Sequence, residues 1–310
     1  MTMDPFSRRQ FLVALGAMAV APHAYPDATP FRIRYTLSSA MYGEMPLSAI
    51  LPEVARTGCE SIDIWRRVHG NQREQIDAMG LPVFRELLAE TGVRVGVSTC
   101  YPLGPFGLQD EMEWLGGLGG GVIVTGSRGP KEPEGMEAKA AARAFFESMK
   151  PHIEKAEATG VTIAIENHDR QWLYHPDSLR YFAELRPSPH IGIALAFHHL
   201  HRWSDAIPGL IRDLGSEALP FIYFQEHSEG IRQKVAKEIE MRQMPGRGEL
   251  DYRPIVSALR DIEFRGLAEI FMHPTPRGIP ILPTVAQISA AINESRAYVS
   301  RCLRETHPDA

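Results

Sequence analysis

The chain alternates short apolar runs with longer amphipathic segments, a pattern typical of a parallel sheet covered by helices. Buried parallel strands read as nearly continuous apolar runs, and the sequence predicts strands at residues 32–37, 61–65, 94–98, 121–125, 161–165, 191–196, 220–224 and 266–270. Helices are predicted at residues 47–57, 77–91, 137–159, 252–261 and 284–303, and several of them end at a glycine. Eight strands within 310 residues favour a single-domain (β/α)8 barrel, the TIM-barrel fold, over an open sheet.

No linker or low-complexity tract divides the chain after its N-terminal segment, so residues 30–310 are predicted to form one domain. No Gly-x-Gly-x-x-Gly motif follows the first strand, which argues against a dinucleotide-binding fold. The glycine-rich residues 116–121 precede a strand instead of following one. We therefore interpret them as a turn and not as a phosphate-binding loop.

The first 29 residues have the composition of an export signal. Arg8 and Arg9 precede an apolar run at residues 13–21, and small residues follow it. The run is shorter than the roughly 20 apolar residues of a membrane-spanning helix. The arginine pair resembles a twin-arginine signal, which implies export of the folded protein to the periplasm or the medium. A metal ion acquired in the cytoplasm would then travel with the chain, and no membrane attachment is expected after cleavage.

The net charge of the chain argues against nucleic acid as a partner. The formal net charge is −5 at pH 7, whereas proteins that bind the nucleic-acid backbone usually carry a basic surface. No nucleic-acid partner is therefore expected, and the choice between a monomer and a homo-oligomer stays open.

The three cysteines form no CxxC pair. We interpret them as mostly buried thiols, with one disulfide as the alternative.

Polar side chains with metal-binding chemistry follow four successive predicted strands. One such residue stands at the carboxyl end of each of strands five to eight: Glu166, His199, Gln225 and Glu269. Active sites of β/α barrels lie at that end, and adjacent strands are about 4.8 Å apart. The four side chains are therefore expected to converge on one divalent ion, Mn²⁺, Mg²⁺ or Zn²⁺. Any one of them alone would more simply be a solvated residue at a strand end.

These motifs resemble those of the xylose-isomerase-like TIM-barrel superfamily of sugar isomerases and epimerases. The resemblance covers nearly all of the predicted barrel and is carried by residues 165–168, 191–201, 223–225, 244–252 and 268–270. It implies a divalent metal held by Glu on strand five, Asp on strand six, His or Gln on strand seven and Glu on strand eight. Glu166, Gln225 and Glu269 match three of these positions.

The sixth strand departs from the family pattern, in which it ends Asp-x-x-His. Ala196 stands at the Asp position, and His199 matches the imidazole. One anionic ligand is thus missing. Either His198 or His199 coordinates instead, which would favour a softer ion such as Zn²⁺, or the metal is weakly bound or lost.

The resemblance implies a metal-dependent isomerase or epimerase that acts on a sugar or keto-sugar through an enediolate. In this scheme Glu166 and Glu269 remove and return the proton, and His199 orients or polarises a hydroxyl. One alternative on the same scaffold is a lyase or hydrolase that acts on a 3-keto-glycoside after abstraction of its acidic α-proton. Another is a non-catalytic sugar-binding barrel without its ion. A nuclease of the same superfamily would need further metal ligands.

Five more residues are candidates for substrate binding. Trp65 and His69 follow the second strand, where an indole can stack on a sugar and an imidazole can bond to hydroxyls. His168 and His227 lie just past the fifth and seventh strands. Arg247 lies in a glycine-rich loop after the seventh strand, where it would suit a carboxylate or phosphate on the substrate. A structural turn is the alternative for that loop.

Overall fold

In the computed structural model, which describes residues 31–306, eight parallel strands form a closed barrel in the order β1-β2-β3-β4-β5-β6-β7-β8. The strands are β1 (Arg34–Ser38), β2 (Ser61–Trp65), β3 (Val95–Thr99), β4 (Val122–Gly126), β5 (Thr162–Glu166), β6 (Ile191–Ala196), β7 (Phe221–Phe224) and β8 (Leu267–Ile270). The predicted (β/α)8 fold is confirmed. The export signal predicted over residues 1–29 lies outside the described residues.

The barrel closes between its first and last strands. β8 pairs with β1, where Glu269 lies beside Thr36, and with β7, where Glu269 lies beside Tyr223. Because all strands run in the same direction, their carboxyl ends meet at one end of the barrel. Almost all strand residues are buried, since they face either the barrel interior or the surrounding helices. Polar side chains at the strand ends therefore share a common interior.

Ten α-helices accompany the strands within residues 31–306. They are α1 (Leu47–Arg56), α2 (Gln72–Met79), α3 (Leu81–Thr91), α4 (Gln109–Gly116), α5 (Gly135–Thr159), α6 (Pro176–Leu185), α7 (Ile207–Leu214), α8 (Lys237–Glu240), α9 (Tyr252–Asp261) and α10 (Val285–Thr306). A 3-10 segment, Phe197–Ala206, follows β6 directly. This segment carries the polar residues at the end of that strand.

The helices differ from the sequence prediction in two respects. The helix predicted at residues 77–91 is divided into α2 and α3 by Gly80, whose φ of 83° is accessible to glycine but strained for other residues. The sequence prediction also lacks α4, α6 and α7, which are only 8 to 10 residues long. Helices with so few turns show only a weak periodic pattern of apolar residues in the sequence. α6 also begins at a proline, whose fixed φ suits the first helical turn.

The cysteines match their interpretation from the sequence. Cys59, Cys100 and Cys302 are all unpaired, and the last two are buried. In the part of the chain that the structure describes, no helix has both the length and the apolar character needed to cross a bilayer.

A buried carboxylate ties α4 to the barrel. Glu111 accepts hydrogen bonds from Arg66 (2.6 Å), Arg73 (3.1 Å) and Ser98 (2.6 Å), and only 1% of its side chain is exposed. Without this carboxylate, two guanidinium groups would lose their shared counter-charge in a site that water barely reaches. The cluster thus joins the loop after β2, helix α2 and strand β3.

We expect Glu111→Ala to lower the free energy of unfolding by about 3–5 kcal/mol, because it leaves Arg66 without its carboxylate and Arg73 with only the exposed Asp77. Urea unfolding followed by circular dichroism measures the change. The matched control is Glu113→Ala on the same helix, whose carboxylate pairs with Lys155 at the surface and contributes at most about 1 kcal/mol. Equal losses in the two variants would contradict the role of Glu111.

Candidate active site at the carboxyl end of the barrel

Glu166 has the electrostatic properties of an acid–base residue. It is the last residue of β5 and is 4% exposed. Burial raises the pKa of its carboxyl to about 7, while the neighbouring His168 and a hydrogen bond from the Tyr101 hydroxyl oppose the rise. A carboxyl with a pKa near neutrality can both accept and release a proton.

The two ring nitrogens of His199 face different carboxylates. Nε2 lies 4.0 Å from Oε1 of Glu166, and Nδ1 lies 3.4 Å from Oδ1 of Asp169. Burial lowers the pKa of His199 well below its usual value, so the ring is neutral and carries one proton. The same Oδ1 lies closer to Nδ1 of His168, at 3.0 Å, so Asp169 faces both imidazoles. A proton on Nδ1 of His199 would point towards this carboxylate and leave the lone pair of Nε2 on the side of Glu166.

His198, the alternative ligand at the end of the sixth strand, is buried without hydrogen bonds. It is 2% exposed, and neither ring nitrogen has a partner within residues 31–306. Its ring centroid lies 3.9 Å from that of His199. Burial lowers the pKa of His198 well below its usual range, and the nearby His273 lowers it further. A neutral, buried imidazole with two orphaned nitrogens is expected to bind a ligand.

Two groups of side chains in residues 31–306 place metal-ligand atoms within 4.8 Å of one another. The buried group is Glu166, His198 and His199, and the second is His168, Asp169 and His199. Two imidazoles and a carboxylate suit Zn²⁺ or a similar borderline ion. The orphaned nitrogens of His198 fit the same interpretation. Of the four side chains predicted to share one ion, Glu166 and His199 come together in this way.

Glu269 lies near Asp63 of β2 and belongs to neither of these groups. Both residues are fully buried. Neither carboxyl oxygen of Glu269, nor Oδ1 of Asp63, has a hydrogen-bond partner within residues 31–306. Burial raises the pKa of Glu269 well above its usual range, and Asp63 raises it further. Thr99 donates a 2.7 Å hydrogen bond to Asp63 and stabilises its charged form. Of the two carboxyls, Glu269 is therefore the one that holds a proton more firmly.

Tyr223 lies among the acidic groups of the barrel interior. In the strand register it is beside Ala196, which occupies the position of the family's Asp. Its hydroxyl lies 3.3 Å from that of Tyr101. Burial raises the pKa of Tyr223 well above its usual range, and Glu166 and Glu269 raise it further. The phenol is thus close to both predicted acid–base residues.

Gln225 is fully buried directly after β7. Its Nε2 donates a 2.8 Å hydrogen bond to Oε1 of Gln243, which also accepts the backbone N–H of His273. The amide oxygen of Gln225 has no hydrogen-bond partner within residues 31–306. The loops after β7 and β8 therefore hold this side chain in place, and its oxygen remains available to a ligand.

Three of the predicted substrate-binding residues surround the mouth of the barrel. The ring of Trp65 stacks on Phe271 at a centroid distance of 4.8 Å, and its edge contacts His69 at 5.2 Å. The ring of His168 lies 4.0 Å from that of His199. An aromatic wall and two imidazoles thus border the strand-end residues.

The other two predicted substrate-binding residues have different contacts. His227 stacks on His201 at 3.8 Å, beyond the end of β7. Arg247 donates a 2.5 Å hydrogen bond to Glu294 of the outer helix α10. The structure does not bring Arg247 to the strand-end residues, because a carboxylate of the helix layer already binds its guanidinium.

The sequence analysis missed Asp169 and Arg232. Asp169 follows the Glu-Asn-His motif directly, which was a usable signal. Arg232, in the loop after β7, forms an ion pair with Asp169 and so holds the carboxylate that faces His199. No sequence signal indicated this pair, since 63 positions separate the two residues.

The fold is similar to that of several solved structures. One is the IolI protein with a bound zinc atom, at a TM-score of 0.67 and 15% identity over 88% of this chain and 99% of that one. Another is 3-keto-D-glucoside 4-epimerase, YcjR, from E. coli, at 0.62 and 16% over 87% of this chain and 100% of that one. A third is D-psicose 3-epimerase from Clostridium cellulolyticum H10 with D-tagatose, at 0.65 and 17% over 87% and 99%. At these identities the likeness shows the fold alone.

A family match extends the comparison to the sequence. No curated protein sequence matches the chain. Residues 51–295 match the family described as xylose isomerase-like TIM barrel, and this range contains the strand-end residues from β2 to β8. The protein therefore belongs to the xylose isomerase-like TIM-barrel family.

Proposed function

We propose that the protein is a metal-dependent isomerase or epimerase of a sugar or keto-sugar. One observation carries the proposal: Glu166, with a pKa near 7, shares a buried group of metal-ligand atoms with His198 and His199. Proton transfer next to a carbonyl needs a base and a group that stabilises negative charge on the carbonyl oxygen. The site supplies the base and has donors for a cation. Two similar structures are sugar epimerases and a third binds zinc, which supports the same class.

The donors define which ion the site would hold. Glu166, His198 and His199 would bind it, and the free amide oxygen of Gln225 offers a further ligand. Two imidazoles favour Zn²⁺ over Mg²⁺. When bound, the ion polarises the substrate carbonyl as a Lewis acid. A proton on Nδ1 of His199, on the side of Asp169, would leave Nε2 free to bind the ion.

The residues of the chain divide the proton transfer between two sides of the barrel. In the proposed reaction Glu166 removes the proton from the carbon next to the carbonyl. Glu269, whose pKa is raised by burial and by Asp63, holds a proton and returns it to the substrate. The buried hydroxyls of Tyr101 and Tyr223 lie 3.3 Å apart, and Glu166 raises the pKa of both phenols. A donor and an acceptor on separate strands suit both isomerisation and epimerisation.

A lyase acting on 3-keto-glycosides is the second candidate. The observation in its favour is the proton on Glu269, because departure of an aglycone needs a general acid. A similar structure is an epimerase of a 3-keto-glucoside. Loss of the aglycone during proton exchange would favour this candidate, whereas exchange with the glycosidic bond intact would favour the epimerase.

We expect the wild-type protein to exchange a carbon-bound proton of D-psicose, D-tagatose or a 3-keto-glucoside with D₂O, as followed by NMR. Glu166→Gln should lower the exchange rate by about 10²–10⁴-fold, because the amide cannot accept the proton. The matched control is Glu294→Gln, which removes an exposed carboxylate paired with Arg247 and should leave the rate unchanged. Undiminished exchange in Glu166→Gln would refute the role of Glu166 as the base.

We expect the protein to bind one zinc ion at the group formed by Glu166, His198 and His199. Isothermal titration calorimetry measures the affinity and the stoichiometry. His198→Gln should weaken binding by about 10²-fold or more, because one imidazole ligand is lost, and Asp169→Asn by about 10–100-fold, because the orientation of His199 is lost. His152→Gln is the control, since its ring lies on the outer helix α5 and bonds to Gln109. Equal affinities in all variants would place zinc elsewhere.

We further propose that the enzyme acts in the periplasm or outside the cell, on the support of the sequence of residues 1–29 alone. Replacing Arg8 and Arg9 by lysine should retain the protein in the cytoplasm, as fractionation of expressing cells would measure. Export of the double variant at the wild-type level would count against the twin-arginine route.

A further inference from the structure

We propose that a cavity beside the carboxyl ends of β6 and β7 binds an organic cation, a primary ammonium group on an apolar stem. The cavity has a volume of about 590 Å³, which is in the range of small-molecule sites. The 3-10 segment after β6, the beginning of α7, the loop after β7 and the beginning of α9 border it. The inference does not depend on the proposed function, because none of the carboxylates that line this cavity takes part in the proposed reaction.

The cavity lies between the barrel wall and the helix layer, apart from the proposed ion site. Phe197 and Glu226 line it. The residue after Phe197 is His198, and the residue before Glu226 is Gln225; these two neighbours carry donors proposed for the ion. The ring of Phe197 packs against Tyr252 of α9 at a centroid distance of 6.3 Å, on the outer side of the barrel. The same two strand ends therefore contribute to both sites.

Carboxylates without cationic partners give the cavity a negative wall. Within residues 31–306 no lysine or arginine lines it, and its four acidic residues are Asp205, Glu226, Glu249 and Asp251. The guanidinium of Arg253 pairs with Asp251 at 2.9 Å. No Lys, Arg or His nitrogen of the described chain lies within 4.0 Å of the other three carboxylates. A cationic ligand would balance this charge, whereas an anion would be repelled.

Glu226 is the buried member of this acidic group and has an oxygen without a partner. The residue is 2% exposed, whereas Asp205 and Glu249 are exposed. Its Oε2 accepts a 2.9 Å hydrogen bond from the backbone N–H of Leu250, which holds the side chain in place. Its Oε1 has no hydrogen-bond partner within residues 31–306. A buried acceptor without a partner is unfavourable, so a ligand that donates a hydrogen bond to it would stabilise the site.

The rest of the lining favours an organic cation over a metal ion. Apolar side chains such as Ile207, Leu250 and Ile255 line the cavity and provide a surface for a hydrocarbon stem. The stacked rings of His201 and His227 add a planar wall. In the described chain, no three acidic or imidazole groups of this cavity bring their ligand atoms within 4.8 Å of one another. These groups are thus too far apart to surround one metal ion.

The test compares benzylammonium, benzyl alcohol and benzoate, which share one ring and differ in the charge of the substituent. Isothermal titration calorimetry on the full chain measures their affinities. We expect benzylammonium to bind at least about tenfold more tightly than benzyl alcohol, and benzoate not to bind. Glu226→Gln keeps an acceptor for the N–H of Leu250 and removes the charge. It should therefore abolish most of the preference for the cation and leave the affinity for benzyl alcohol unchanged.

A second variant tests the exposed carboxylates of the cavity. Asp205→Asn combined with Glu249→Gln should lower the affinity for benzylammonium about two- to threefold, because exposed charges interact weakly across water. The matched control is Glu86→Gln combined with Glu90→Gln, which removes two exposed carboxylates of helix α3. It changes the net charge of the protein by the same amount and should bind benzylammonium as the wild type does.

Three results would overturn the proposal. The first is that benzylammonium does not bind, or binds no more tightly than benzyl alcohol or benzoate. The second is that its affinity stays at the wild-type level in both cavity variants, which would place the amine elsewhere. The third is that the α3 control loses as much affinity as the variant of the exposed carboxylates, which would indicate an effect of net charge alone. If circular dichroism shows that Glu226→Gln does not fold, the comparison with the α3 control decides.

Discussion

The burial of polar groups at one end of a closed barrel is the constraint on which the candidate site depends. A buried polar group without a partner costs free energy, and burying a charge costs more. The cost is visible in the raised pKa of Glu166 and Glu269 and in the lowered pKa of His198 and His199. At neutral pH the site consequently holds a protonated carboxyl and neutral imidazoles. These are the protonation states that proton donation and metal binding need.

The replacement of the family's Asp by Ala196 changes the charge of the proposed metal site. In this chain the donors nearest one another are Glu166, His198 and His199, and only the first is an anion. Burial raises the pKa of Glu269 well above its usual range, so this carboxyl adds no second anion at neutral pH. A divalent ion bound here would keep a net positive charge. It would therefore attract electrons from a substrate carbonyl more strongly than an ion surrounded by carboxylates.

Acidic groups gather around Tyr223 in the barrel interior. Its hydroxyl lies 3.3 Å from that of Tyr101, and both Glu166 and Glu269 raise its pKa. Imidazole rings border this interior in the loops after β2 and β8, where His69 lies 5.0 Å from His273. Because loops carry these rings whereas strands carry the acids, the loops can vary without altering the strand-end residues.

The sequence by itself determined the fold and one polar residue near the end of each of strands β5 to β8. The apolar run of β6 specifies that strand residue for residue, since a strand buried on both faces is nearly continuously apolar. Only the tertiary structure decided which side chains meet. It placed Glu269 near Asp63, and it bonded Gln225 to Gln243 and Arg247 to Glu294. The physical reason is that each pairing depends on side-chain direction and on competing partners far away in the chain, which strand-end position does not encode.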